Sequence, residues 1–353
     1  MGVPVPVAGV DFPGSLAEVR AWFPDDDACL DYLAWLRWGE FGFVCHLCGN
    51  VDGWRSSSRY SWECSACKAR VSPTAGTIFH RTRTPLTVWF EAAWLVTTQA
   101  YGASALGLQR VLGLGSYQTA WTMLHKFRLA MVDPNRSLLD GIVEADEVFV
   151  GGKKKVGGGP GRSVRPGVSI VATFVERRTR GFGRTRLVVV DRASAAELQA
   201  AMVECVAPTA TVVTDAFQSW RTAVAAAGMA HEVVNVRRSG RPAHESLPAV
   251  SRVAAQFKRW LLGTMQGAVS PEHLQAYAHE FEFRFNRRRS QHRGQLFYRL
   301  LEQAAQTPHA GYRDLVLIGG AKSVTPTPPS GPRGVAPSLA QPDAGRPWRL
   351  SSR

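Results

Sequence analysis

No stretch of this 353-residue chain approaches the roughly 18 continuous apolar residues that a membrane-crossing helix needs. The segment Met1–Phe12 lacks the charged start and apolar centre of a secretion signal. Pro6 stands where a myristoylation signal requires Ser or Thr. The expectation is a cytoplasmic protein with no membrane partner. Acidic residues are also short: 28 Asp plus Glu face 42 Lys plus Arg, a net charge of +14. A chain this basic calls for a polyanionic partner, and nucleic acid is the first candidate. With 45% hydrophobic and only 20% charged residues, disorder of the whole chain is excluded. No internal repeat is present. Cysteine is scarce outside one place: of six, four crowd into residues 45–67, while Cys29 and Cys205 stand alone.

That cluster has metal-ligand spacing. Cys45 and Cys48 form one C-x-x-C pair, Cys64 and Cys67 another, and fifteen residues separate them. In a reducing compartment such a set reads as a zinc site rather than as disulfides. Each pair can sit on a tight knuckle, and two knuckles close a tetrahedron around Zn²⁺. Four thiolates leave no open position for water, so the zinc would be structural. The expected product is a zinc ribbon with Arg55, Arg59, Lys68 and Arg70 turned toward phosphate.

Around the ribbon the pattern is helical. Residues 15–38 are expected as a helix, and Thr84-Pro85 reads as a cap followed by proline at the first helical position. A helical pair over 103–131 is broken by Gly113-Leu114-Gly115 and restarts after Ser116. Gln118, Thr119, Thr122, His125, Lys126 and Arg128 fall off its apolar stripe, giving the outline of a helix-turn-helix. After Asp133-Pro134 the period changes. Ile142–Val150, Val168–Val175 and Arg186–Val190 read as strands. Ser194 opens a helix as a capping box with Glu197. A short strand over Thr211–Thr214 runs into Asp215. Another strand over His231–Val236 and helices over 248–263 and 271–286 follow. Between the first two strands lies a glycine-rich stretch with Lys153, Lys154 and Lys155. Residues beyond about 320 are rich in Pro, Gly and Ser and are expected to be disordered.

Two carboxylates stand out. Asp146 lies inside the apolar strand Ile142–Val150, and Asp215 ends the strand at 211–214. A strand-borne aspartate is costly to bury unless it is paired or binds a cation. Two on adjacent strands can hold a pair of Mg²⁺ ions about 3.5–4 Å apart, suited to phosphodiester chemistry. Strand alternation puts Glu144, Asp146 and Val148 on one face and turns Glu147 to the other.

These residues, taken together, resemble the DDE transposases of bacterial insertion sequences, in the subgroup with an N-terminal zinc ribbon. The resemblance spans about Leu36 to Leu301. It is carried by Phe43-Val-Cys45-His-Leu-Cys48-Gly49, Thr77-Ile-Phe79, Val111–Trp121, Val143-Glu-Ala-Asp146-Glu147, Val213-Thr-Asp215, Lys258–Thr264 and Glu280–Arg288. It implies an α/β fold with a ribonuclease-H-like mixed sheet and flanking helices. Ahead of the sheet stand a zinc ribbon and a helix-turn-helix-like segment.

The domains expected are a helical lead over 1–38, the ribbon over 39–82, a helical DNA-binding segment over 84–133, the catalytic domain over 140–305, and a tail over 320–353. The resemblance further implies two Mg²⁺ ions at Asp146 and Asp215. Cleavage and strand transfer would act on double-stranded DNA at the terminal inverted repeats and at the target. A homodimer or larger assembly would form on DNA at the bacterial nucleoid. DNA contact is expected from Lys153, Lys154, Lys155, Lys258, Arg287 and Arg288. One departure stands out. The family places its third ligand, commonly Glu but Asn or His in some branches, seven residues before a helical Lys. With Lys258 in that role the position is Ser251, a poor Mg²⁺ ligand. Glu245, just upstream, is the candidate substitute catalytic residue. The alternative is a decayed transposase that only binds DNA.

Overall fold

A computed structural model describes residues 6–318, apart from 40, 41, 46, 57–60, 152–167, 180, 236, 237, 239, 241, 242, 267 and 268. Lys153, Lys154, Lys155, Arg59 and the expected tail therefore lie outside the described residues. The chain divides into two compact units, one built from residues 1–134 and 289–316, the other from 135–288. No described helix is long and apolar enough to cross a membrane.

The first unit begins with two helices rather than the one expected over 15–38: α1 (Leu16–Trp22) and α2 (Asp26–Trp38). Pro24 disfavours helix in the residue before it, so the chain breaks at Phe23. Asp25 then restarts it, its side chain accepting from the Ala28 amide at 2.8 Å. The acidic run that follows is used residue by residue. Asp26 Oδ1 accepts from the Thr87 amide at 3.1 Å and so serves the start of α3 (Leu86–Thr98). Thr84 was the expected cap there. Instead Pro85 occupies the cap position and makes no side-chain cap bond. Asp27 and Asp31 both bind Arg55.

Strands β1 (Gly53–Arg55), β2 (Trp62–Cys64) and β3 (Arg70–Val71) form a small antiparallel sheet. It packs on α2 through Ala34, Trp38, Phe43, Trp62 and Val71. Then come α4 (Ala105–Leu112) and α5 (Tyr117–Ala130), capped by Ser104 and Ser116. Gly113 ends α4 with φ +63°, a left-handed turn that glycine adopts without penalty. Half of the polar face expected on α5 is internal: His125, Lys126 and Arg128 are buried, while Gln118 is exposed. Lys126 donates to the Ile78 carbonyl at 2.9 Å. The helix α11 (Gly294–Ala304), placed by its sequence position with the catalytic domain, belongs to this first unit. Its Phe297 is fully buried against Phe23, Phe90 and Trp94.

The second unit is a five-stranded mixed sheet. Its strands are β4 (Ile142–Gly151), β5 (Val168–Arg177), β6 (Phe182–Val190), β7 (Thr211–Asp215) and β8 (Ala230–Val234). They lie in the order β6-β5-β4-β7-β8. The pairs β4/β5 and β5/β6 are antiparallel, and β4/β7 and β7/β8 are parallel. A three-stranded meander extended by two parallel strands is the ribonuclease-H-like sheet. The parallel strands are reached through α6 (Ala195–Cys205) and α7 (Gln218–Ala226). These helices cover one face with Val143, Ala145, Leu198, Met202 and Trp220. The chain then makes a single helical turn, α8 (Ala243–Ser246), before α9 (Pro248–Met265) and α10 (Leu274–Asn286). The last two cover the other face, with Val148, Val213, Val250, Phe257 and Phe281 in its core.

The edge strand β6 is finished by side chains of α10. Gln275 accepts from the Val189 amide at 2.7 Å and donates to the Leu187 carbonyl at 3.0 Å. Glu282 accepts from the Leu187 amide. Asn286 accepts from the Thr185 amide at 2.8 Å and donates to the Thr185 carbonyl at 3.1 Å. These bonds satisfy edge groups that would otherwise invite another strand.

Candidate active site

The ribbon offers one cluster of ligands. The thiols of Cys45, Cys48, Cys64 and Cys67 all lie within 4.8 Å of one another. The Sγ pairs Cys45–Cys67 and Cys48–Cys64 are each 3.6 Å apart. A tetrahedral zinc with Zn–S bonds of about 2.3 Å separates its sulfurs by about 3.8 Å, so the set fits. Each knuckle closes on a left-handed residue, Gly49 at φ +73° and Lys68 at φ +56°. The Cys67 backbone amide, helped by the Asn50 side chain, pulls the Cys64 thiol down to about 6. Against the Asn50 amide, the neighbouring thiols push Cys48 up to about 12, so the set shares protons that a bound metal would displace. Arg55 and Lys68, expected to face phosphate, lie over Trp62 and Trp54 respectively. Arg55 is further held by its two aspartates.

On the sheet, Asp146 and Asp215 come together. β4 and β7 pair in parallel with Glu144 opposite Val213. Two residues further in the same register, Asp146 falls level with Asp215. Both share the face that carries Val148 and Val213, which is the side covered by α9. Each carboxylate is oriented by a neighbouring amide. Asp146 Oδ1 accepts from Glu147 N, and Asp215 Oδ1 from Phe217 N, both at 2.9 Å. Burial pushes the Asp146 carboxyl up to about 7, with Glu147 and Asp215 adding to the rise and Lys258 opposing it. Crowded carboxylates, with Asp146 pushed up by burial, are a surplus of negative charge that a cation would relieve. Glu147 points to the opposite face, where the Trp220 indole donates to it at 2.8 Å.

The other expected residues divide. Lys258 on α9 is exposed, yet near enough to favour the charged form of Asp146. Ser251 sits on the same helix, partly buried. Glu245 is exposed on α8. α9 itself carries no carboxylate. Arg288 is committed to the fold: its guanidinium donates to the carbonyls of Phe182, Gly183 and Phe285 and lies over the Phe285 ring. Arg287 lies over Phe283 and donates to its carbonyl. Sequence reasoning gave no role to Glu144, whose buried carboxylate accepts from two amides of α9. Its signal was a glutamate on the inward face of an apolar strand.

Residues 138–286 match the family described as the ISXO2-like transposase domain, and residues 24–70 match a transposase zinc-ribbon domain. The sheet-bearing unit is thus similar to a transposase domain, and the ribbon to the zinc ribbon of transposases. The ribbon match takes in α2, the helix on which the small sheet packs. The transposase-domain match stops at the end of α10, before the helix that joins the first unit. No curated protein matches this chain. Among solved structures a similar chain is that in "Crystal structure of a pre-cleavage Mos1 transpososome". It is 14% identical, with a TM-score of 0.25, covering 64% of this chain and 77% of that one.

Proposed function

We propose that this chain is a transposase that binds the terminal inverted repeats of an insertion sequence, cuts the DNA there and joins the freed ends to a target. The observation that carries the reading is the pair Asp146 and Asp215, level on adjacent parallel strands and facing α9 with more negative charge than the site can hold alone. Asp146 and Asp215 would hold two Mg²⁺ ions, which when bound stabilise the charge that develops on a phosphodiester. The chain's own part is to fix both carboxylates through the Glu147 and Phe217 amides and to aim Lys258 at the same region as a phosphate partner. Lys153, Lys154 and Lys155 supply further basic charge for DNA. Cys45, Cys48, Cys64 and Cys67 hold a structural Zn²⁺ that keeps the ribbon folded against α2. Two DNA ends would be paired by a dimer or larger assembly.

Glu245 remains the candidate third ligand, since Ser251 stands where the family commonly has Glu. A second reading rests on the same residue: with no carboxylate on α9, the chain is a decayed transposase that binds DNA without cutting it. The test is a cleavage and strand-transfer assay with Mg²⁺ or Mn²⁺ on duplex carrying the repeats that flank the gene. Wild type is expected to cut and join, and Asp146→Ala to do neither while still binding. Loss in Glu245→Ala names the third ligand. Retention there leaves the site running on two carboxylates. A wild type that binds the repeats and never cuts selects the decayed form.

A further inference from the structure

Glu144 has no solvent exposure, which is rare for a carboxylate unless it is fully engaged. Its Oε2 accepts from the Ala249 amide at 2.7 Å and the Val250 amide at 3.0 Å. Its Oε1 lies 3.3 Å from Arg177 Nε. Helix α9 opens with Leu247 at the cap position and Pro248 behind it, and no side chain of its own caps it. The free amides of a first turn are normally met by a Ser, Thr, Asp or Asn at the cap. Here they are met by a glutamate 105 residues earlier in the chain, on a strand of the sheet. A negative group at that end also suits the helix dipole.

The place of this grip matters. Glu144 is two residues before Asp146 on the same strand face, a step of about 6.7 Å. Val250 adjoins Ser251, and Lys258 follows two helical turns later with its side chain tilted back toward the helix start. One strand thus offers Asp146 to the site and, one alternation earlier, a clamp to the helix that faces it.

We propose that Glu144 is a positioning residue: by gripping the first turn of α9 it sets Ser251 and Lys258 against Asp146 and Asp215. This rests on the reading of those aspartates as the catalytic pair. Arg177 lies 3.3 Å from the second carboxylate oxygen and offsets its charge without a hydrogen bond, so the grip rests on the two amides.

The test compares Glu144→Ala, Glu144→Gln, Lys258→Ala and the Glu144→Ala/Lys258→Ala double variant for cleavage rate and for affinity toward the terminal repeats. Misplacement of a reacting group by about 1 Å costs up to about a hundredfold in rate, so Glu144→Ala is expected to cut about tenfold to a hundredfold more slowly. Affinity for the repeats stays within about twofold, because Lys258 is one phosphate contact among several and the others do not depend on Glu144. Glu144→Gln regains most of the rate, since its amide oxygen still accepts from Ala249 and Val250. The double variant is no slower than the slower single one, the mark of two residues acting through one arrangement.

Rate losses that multiply in the double variant, or repeat binding that falls in step with cleavage, would overturn the proposal. So would a Glu144→Gln variant no faster than Glu144→Ala. Amide hydrogen exchange separates a local effect from unfolding: α9 should loosen at its start while β4 and β5 stay protected. If Glu144→Ala loses protection throughout, Glu144→Gln decides. A wild type that cuts while Glu144→Ala cuts equally well overturns this inference alone. A wild type that never cuts overturns the catalytic reading and this role with it.

Discussion

Replacing Asp146 by Asn should make the Mg²⁺-free protein more stable at pH 8 and leave it nearly unchanged at pH 4. In the fold, burial first, then Glu147 and Asp215, push the Asp146 carboxyl up to about 7. In the unfolded chain an aspartate sits near 3.9. Below about pH 3 the group is protonated in both states and contributes nothing. As pH rises toward 7 the unfolded chain releases the proton and the folded chain retains it, so stability falls. Above 7 the full penalty applies. Three units at about 1.4 kcal/mol each give about 4 kcal/mol, and water reaching the half-buried group reduces this to about 2 kcal/mol. Asn keeps the acceptor for the Glu147 amide, held at 2.9 Å, so little is lost elsewhere. Urea denaturation in zinc-containing, Mg²⁺-free buffer at several pH values measures the difference. An Asp146→Asn protein equal to or weaker than wild type at pH 8, or a gap that widens toward acid, would refute the argument. Added Mg²⁺ should stabilise wild type and leave Asp146→Asn nearly unmoved.

Stripping zinc with a strong chelator, or the change Cys48→Ala, should unfold the ribbon. Structural zinc contributes about 10–16 kcal/mol in small domains, and tryptophan emission should shift red as the buried Trp38 and Trp62 reach water. Glu282→Ala leaves the Leu187 amide without its acceptor and Arg136 and Arg186 without a buried carboxylate. It should cost about 3–5 kcal/mol in urea denaturation. Ser251→Glu puts a carboxylate on α9 at the position where the resembled family commonly has its third ligand. It should raise Mg²⁺-dependent cleavage about tenfold or more, and an unchanged rate would remove position 251 from the site.

The parts of this fold that could be read from the sequence are those governed by neighbours along the chain. β4 declares itself through Val143, Val148 and Val150, and Asp146 is conspicuous there because the strand around it is apolar. The cysteine spacing and the serine caps at Ser116 and Ser194 are equally local. What was missed depends on partners far away. The first half of β6, Phe182-Gly-Arg-Thr-Arg186, does not look like a strand. Its polar groups are answered by α10 and by Glu176, which binds Arg184. Lys126 was assigned to a surface because its partner, the carbonyl of Ile78, lies 48 residues away. Arg288 was assigned to DNA, whereas three backbone carbonyls take its donors. The start of α3 was credited to Thr84 because nothing nearby reveals that Asp26 reaches it. Burial of charge is decided by what the tertiary fold brings opposite, and periodicity carries no record of that.

The ladder that α10 makes along β6 sets a rule for how this helix can vary. One helical turn advances about 5.4 Å and two strand residues about 6.7 Å, so polar side chains one turn apart can answer alternate residues of a neighbouring strand. Glu282 and Asn286 do so for Leu187 and Thr185. The helix therefore behaves as a surrogate sixth strand whose rungs are side chains instead of peptide groups. Its spelling is then constrained by phase more than by composition. Inserting or deleting a single residue between Gln275 and Asn286 would rotate one end of the helix by about 100° relative to the other and unhook the ladder on that side. Changes on the far side of the helix leave the register intact.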